Sequence, residues 1–474
     1  MNLPLALLLA YSAALIAVGL WVGRLVRDSG DFFVAGRSLT PGLLFSTVLA
    51  SNIGAGSTVG AAGLAYRDGI GAWWWNGSAA IGSLFLAFLI GPKIWAIASR
   101  HNLFTAGDYL ELRYGRSVRG LIAVLIWFGT LAILAAQLIA GAAVLTVVAG
   151  LPRWGGALIG ATVMTIYFVA GGLLSSAWVN LVQLVVLLGG FVVAVPIILS
   201  GIGGLDAISA SAGAPGTFWD FFYSAGPGSG WTMLFLLGAN FVISPGLVQK
   251  VYGAQSARAV RIGVGLQALA LAVFAFAPVL LGMAARVAHP GIDGRDLVLP
   301  TMLHEHLPAF LGALTLAAIF SAEVSTCDAI LFMLSTSLSQ DLYKRFVNPA
   351  AGDRQVLAVA RGAAIAGGAL GVLLAIQLPN VVAALTVFYS LLAVSLFVPV
   401  VGGLYTTRAG TREALAAIVA GVTTLLAIRL GLAGRYPWLD PTLTGLVAAA
   451  AAFFLTMAVT GRQAAIARHE STNR

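Results

Sequence analysis

Apolar runs of ~20 residues recur from one end of this chain to the other, each long enough to cross a bilayer as a helix. In lipid, backbone polar groups must be satisfied within the protein, which confines such a chain to packed membrane helices. Composition agrees: 59% of the 474 residues are hydrophobic and 9% charged, against roughly 25% charged in soluble domains. The 57 glycines suit the same class, since Gly is commoner in membrane helices than in soluble ones. The expectation is an all-α polytopic membrane protein with about 13 transmembrane helices. They fall near 3–23, 42–65, 72–98, 117–149, 155–174, 177–200, 229–251, 260–286, 300–338, 356–377, 380–405, 411–431 and 439–461. Residues 1–474 read as a single transmembrane domain.

The net charge of +9 does not mark a nucleic-acid binder, because Lys and Arg fall in short loops rather than in one patch. Their asymmetry sets orientation instead. With the N-terminus outside, the inner loops and span ends collect most of them, among them Arg24, Arg27, Lys93, Arg119, Lys250, Lys344 and Arg345. The outer side keeps Arg67, Arg153, Arg286, Arg295, Arg429 and Arg435. The C-terminus is then cytoplasmic, in a protein of the cell membrane. The single cysteine, Cys327, excludes a disulfide framework and a multi-cysteine metal site. The first apolar run lacks a basic leader and a small-residue cleavage site, so it reads as a retained helix. The polar tail is too short to carry a soluble domain.

Two spans are interrupted. The second contains "ASNIGAGSTVG" (Ala50 to Gly60), and the seventh contains "NFVISPGLVQ" (Asn240 to Gln249), where Pro245-Gly246 must break the hydrogen-bond ladder. Each opens a block of five spans, 42–200 and 229–405. Breaks at corresponding places in two halves point to an inverted-repeat transporter with its site at the breaks. Glycine for close helix packing is the plainer alternative. An unwound helix exposes carbonyl oxygens that are tolerated only where they line a cavity or meet a ligand. The stretch "FSAEVSTCDAILFML" (Phe320 to Leu334) supplies a facing helix. At about 100° per residue, Ala322, Ser325, Thr326 and Ala329 share a face, with Asp328 at its edge. Hydroxyls there suit a monovalent cation such as Na⁺; bonding back to the preceding turn is the rival. Glu323 lies off that face, and the sequence assigns it no role.

"DFFVAGRSL" (Asp31 to Leu39), "ASNIGAGS", "TIYFVAGGLLSSAWVNLVQ" (Thr165 to Gln183) and "SAEVSTCDAILFMLSTSLSQDLYK" (Ser321 to Lys344) resemble the sodium:solute symporter family. The resemblance spans roughly 30–405. It implies the leucine-transporter fold, with two inverted five-helix repeats at 42–200 and 229–405. One extra N-terminal helix (3–23) and two C-terminal helices (411–461) are added. It implies a principal Na⁺ site made by the carbonyls of Ala50, Ile53 and Ala322 and the hydroxyls of Ser325 and Thr326. Many relatives place an Asp where this chain has Asn180, and a serine where it has Asp328. Asp328, Asn180 and Ser325 are therefore candidates for a second cation or proton site, with a plain Asp328–Asn180 hydrogen bond as the alternative. A Ca²⁺ cage would need more oxygens than this.

The solute is expected beside the ion, between the broken helices. Candidate contacts are Asn52, Ser57, Gln137, Asn240, Ser244 and Tyr389. Trp74 and Asn76 join them unless "AWWWNGS" (Ala72 to Ser78) is an interfacial aromatic belt. No Lys or Arg is expected in the pocket, so a substrate carboxylate would rely on helix N-termini or on Na⁺. Asn52 stands where proline-carrying relatives have Asp, which weakens a proline assignment. The function expected is sodium-coupled symport of a small organic solute into the cell by alternating access, with no obligatory protein partner. Proton coupling through Asp328 and a transporter-like sensor are the alternatives. An enzyme is not expected: the five histidines lie in loops or span ends. "HEH" (His304 to His306) reads as a solvated helix start rather than a metal site.

Overall fold

The computed structural model describes residues 34–210, 216–223, 230–432 and 439–472, with 5–11, 13–14 and 17 of the first helix. The side chains of 35, 166–181, 324–325, 328–329, 432 and 461–472 lie outside the description. The described chain is all-helical; an isolated parallel bridge between Leu39 and Ala254 is its one recorded β pairing.

Helix α1 (Pro41–Asn52) starts on a Thr40 cap and stops at Ile53, where φ −99° and ψ 84° leave the helical region. A π turn at Gly56–Gly60 restarts the span, which continues as α2 (Ala61–Asp68). The chain reverses at Gly69, whose φ of +75° and close approach to the Phe218 carbonyl both exclude a side chain. It descends as α3 (Trp73–Phe85), a π segment and α4 (Gly91–His101). The π segment has a cause in Pro92, which has no N–H to close the preceding turn. The short α5 (Ala106–Tyr114) begins in a capping box formed by Thr105 and Asp108, and α6 (Arg116–Ala149) follows. Helix α7 (Arg153–Gly201) covers both spans expected at 155–174 and 177–200; their junction lies where side chains are undescribed.

After α8 (Gly204–Ala210), the second interrupted span holds a π turn at Leu234–Gly238, α9 (Ala239–Ile243) and α10 (Pro245–Tyr252). Ser244, with ψ 125°, is the joint, and Pro245 takes the first helical position, where its missing N–H costs nothing. The remaining helices are α11 (Ala257–Phe274), α12 (Phe276–Ala288), α13 (Val298–Glu305), α14 (Ala309–Thr336), α15 (Asp353–Gln377), α16 (Val381–Tyr405), α17 (Thr411–Ala427) and α18 (Pro441–Thr472). A π-helical extension, Ser337–Val347, prolongs α14.

Among the described residues nine stretches are long and apolar enough to cross a membrane, against about 13 expected from the sequence. The nine cover the described residues only and do not test the expected number. Gly56–His101 is one stretch of 46 helical residues although it reverses at Gly69. Helix α14 is long enough to cross, but side chains 324–325 and 328–329 within it lie outside the description.

Helix α14 packs on α6 and α7, and α1 lies against α7, α11 and α14. Away from the spans, the Val381 amide donates to the Asp296 carboxyl at 3.2 Å, pinning the segment before α13 to the start of α16. Burial pushes that carboxyl up to about 6, against the pull of the Val381 bond and the Arg153 and Arg295 charges. A raised folded-state value gives stability that is full below the ordinary Asp value of about 4 and lost as pH rises through the folded one. The melting temperature should therefore fall between about pH 4 and pH 6. Asp296→Asn should flatten that fall in a melt measured across the same range.

Candidate functional site

At the first break the backbone donors and acceptors part company. Gly54 N donates to Ser57 Oγ (2.9 Å), Ala55 N to Gln137 Oε1 (2.9 Å) and Ser57 N to the Gly54 carbonyl (3.1 Å). Gly54 and Ser57 amides would otherwise have closed the turns onto Ala50 and Ile53. Both carbonyls thus lose their helical donors, while the amides are satisfied elsewhere. Ser57 further donates to the Asn52 carbonyl at 2.7 Å and receives the Asn76 amide on its own carbonyl at 3.0 Å.

Across the gap, Thr326 Oγ1 donates to the Ala50 carbonyl at a long 3.5 Å. Ala50, Ile53, Ala322 and Thr326 are all buried. The approach is tight: a Cβ on Gly54 would stand 2.3 Å from Thr326 Oγ1 and 2.7 Å from Gln137 Oε1, so only Gly lets α6 and α14 meet the break. Orphaned carbonyls facing a hydroxyl form the donor set a hard monovalent cation needs, and they offer nothing to an anion. Ser325, Asp328 and Asn180, the remaining ion candidates, lie outside the described side chains.

Beside this site is a cavity of about 40 Å³. Asn52, Ser57, Gln137 and Tyr389 line it as expected, together with Asn76 and Thr326. Trp75, Phe241, Leu237 and Leu385 complete its apolar walls, with Trp75 and Phe241 rings 6.3 and 6.1 Å from that of Tyr389. A space of that size holds a few waters, so this conformation is closed on any organic solute. Two expected contacts are elsewhere. Asn240 spends its amide on the carbonyls of Leu236 (2.7 Å) and Tyr389 (2.5 Å), fastening the second broken span to α16 from outside the cavity wall. Ser244 forms the joint itself and gives its carbonyl to Val248 N at 2.9 Å.

The tryptophan run divides. Trp73 and Trp74 donate to the carbonyls of Ala272 and Phe221, away from the cavity, and only Trp75 lines it. Glu323, buried behind the break, accepts from Thr58 Oγ1 at 3.2 Å, and its Oε2 has no hydrogen-bond partner among the described residues.

Two cations expected in loops or at span ends are built into the interior. Lys250, buried on α10, donates to the Thr47 carbonyl (2.8 Å) and Ser51 Oγ (2.6 Å), joining α10 of the second broken span to α1 of the first. The cavity wall itself carries no Lys or Arg, but Ser51 belongs to it. Arg119 pairs with Asp341 (2.7 Å), Asp108 (2.7 Å) and Glu111 (2.8 Å).

Residues 32–421 match the sodium:solute symporter family. The chain belongs to that family. This symporter is 28% identical to the sodium/pantothenate symporter of Escherichia coli K12, over 93% of this chain and 94% of that one. It is 26% identical to the sodium/glucose cotransporter of Vibrio parahaemolyticus, over 78% and 74% respectively. Its fold is similar to that of a Na⁺-coupled sialic acid symporter solved in a substrate-bound outward-open state, with a TM-score of 0.80. That likeness has 21% identity and covers 97% of this chain and 98% of the other. The family couples a small solute to sodium across a membrane, and sodium is this symporter's coupling ion.

Proposed function

We propose that the symporter binds Na⁺ between the end of α1 and α14, on the carbonyls of Ala50, Ile53 and Ala322 and the hydroxyls of Ser325 and Thr326. A small polar organic solute then occupies an enlarged form of the adjoining cavity. The observation that carries this reading is that the Ala50 and Ile53 carbonyls lose their helical donors at the break, with the Thr326 hydroxyl facing that of Ala50. Asn52, Ser57, Asn76 and Gln137 supply the polar contacts to the solute, and Trp75, Phe241 and Tyr389 its apolar faces. With no cation in the wall, a solute carboxylate would be met by Na⁺ itself. Two relatives are named for pantothenate and glucose, solutes that both carry hydroxyls, which this amide-lined wall suits. Asp328, Asn180 and Ser325 form a second cation or proton site. The N-terminus lies outside and transport runs inward, as the distribution of basic loops favours.

Reconstituted into liposomes, the protein should take up hydroxylated solutes such as pantothenate or glucose under an inward Na⁺ gradient. An equal K⁺ gradient should support none. Uptake driven by a proton gradient and indifferent to Na⁺ would sink this reading in favour of proton coupling.

A further inference from the structure

A second cavity, of about 440 Å³, lies on the flank of the bundle between α3, the first half of the second broken span, α16 and α18. Its volume is that of an ordinary ligand pocket, about 300–1,000 Å³. The wall is apolar, and Phe85, Leu89 and Tyr405 on its rim are half exposed, so it opens sideways toward the bilayer. One end is not apolar. Lys93, at the start of α4, holds its ammonium 3.7 Å from the centre of the Tyr405 ring, and Tyr405 Oη donates to the Leu89 carbonyl at 3.1 Å. Lys93 is exposed, and no carboxylate pairs with it among the described residues.

An apolar trough open to lipid, with an exposed ammonium stacked on the Tyr405 ring of its rim and no carboxylate paired to it, is complementary to one amphiphile: a chain with an anionic head. We propose that the groove binds an anionic phospholipid, one acyl chain along Phe85, Phe235 and Val401 and the phosphate on Lys93. Membrane cations near the surface attract anionic lipid by about 1 kcal/mol each, roughly a fivefold change in affinity. The groove also reaches the transport machinery. Leu234, Gly238 and Val242 face it, whereas Leu237 and Phe241 of the same segment face the central cavity. A lipid seated there bears on the second broken span from behind. The inference does not depend on where sodium binds.

The test is a thermal melt in nonionic detergent with phosphatidylglycerol or phosphatidylcholine added, for the wild type, Lys93→Gln and Leu446→Trp. Leu446 is a wall residue on α18, remote from the central cavity. Phosphatidylglycerol should raise the melting temperature and phosphatidylcholine should not. Lys93→Gln should weaken the apparent affinity for phosphatidylglycerol about fivefold, and Leu446→Trp, which fills the trough, should abolish the rise. Each variant's melt without lipid reports its folding, and Lys93→Gln decides alone if Leu446→Trp does not fold. Equal effects of the two lipids would overturn the proposal, as would a phosphatidylglycerol effect untouched by Lys93→Gln.

Discussion

Arg119→Met should destabilise the protein by about 3–5 kcal/mol, the range found when one partner of a buried ion pair is removed. Arg119 Nη2 and Nε both reach Asp341 Oδ1, at 2.7 and 3.1 Å, while its other bonds hold Asp108 and Glu111 of α5. Its side chain is only 9% exposed and that of Asp341 3%, so water does little to screen what the substitution leaves behind. Lysine is a poor replacement, because a point charge cannot reach three carboxylates as the guanidinium fork does. Adding Asp341→Asn to Arg119→Met should restore part of the stability, since one uncompensated charge is then gone. Melts of the purified variants in detergent would read both effects. Burial alone would raise the Glu111 carboxyl, but hydrogen bonds from Arg345 and Arg119 outweigh it and hold it below the ordinary glutamate value. Its contribution is therefore present above that value and lost as pH falls below it.

Thr326→Ala should remove the effect of sodium and leave the fold nearly as it was. At Na⁺ about 100 times its dissociation constant, a ligand that binds only the folded state adds about 2.7 kcal/mol. The wild type should thus melt higher in NaCl than in KCl at equal ionic strength. The variant lacks the hydroxyl facing Ala50, and its two melts should coincide. In KCl it should lie within about 1 kcal/mol of the wild type, because the hydroxyl makes only one long hydrogen bond to the Ala50 carbonyl. A variant that kept the full sodium effect would move the ion away from this break.

Both breaks are visible in the sequence because Gly and Pro disturb a helix locally. Gln137 is legible too: an amide inside a long apolar span needs a partner, and here it receives the Ala55 amide. Direction is harder to read. Trp73, Trp74 and Trp75 are consecutive, and successive helical residues point about 100° apart, so composition cannot say which ring faces the cavity. Asn240 obeys the same need for a partner as Gln137 but meets it on the Tyr389 carbonyl, outside the wall. Lys250 and Arg119 count with the loops and span ends in the sequence because charge counting follows chain position. Long side chains fold back, and what they meet, Thr47 and Ser51 for one and three acids for the other, depends on residues distant in sequence.

At the first break the amides are satisfied within the protein, while the carbonyls of Ala50 and Ile53 have lost their helical donors and Ala50 keeps only the long bond from Thr326. An empty carrier that closed dry over these oxygens would bury them unsatisfied, at about 1–3 kcal/mol each. Closing without an ion would therefore be uphill by what the Thr326 hydroxyl and any trapped water leave uncompensated. If sodium binds these oxygens, such a cost would disfavour slippage, the return or passage of an unloaded carrier that would dissipate the gradient.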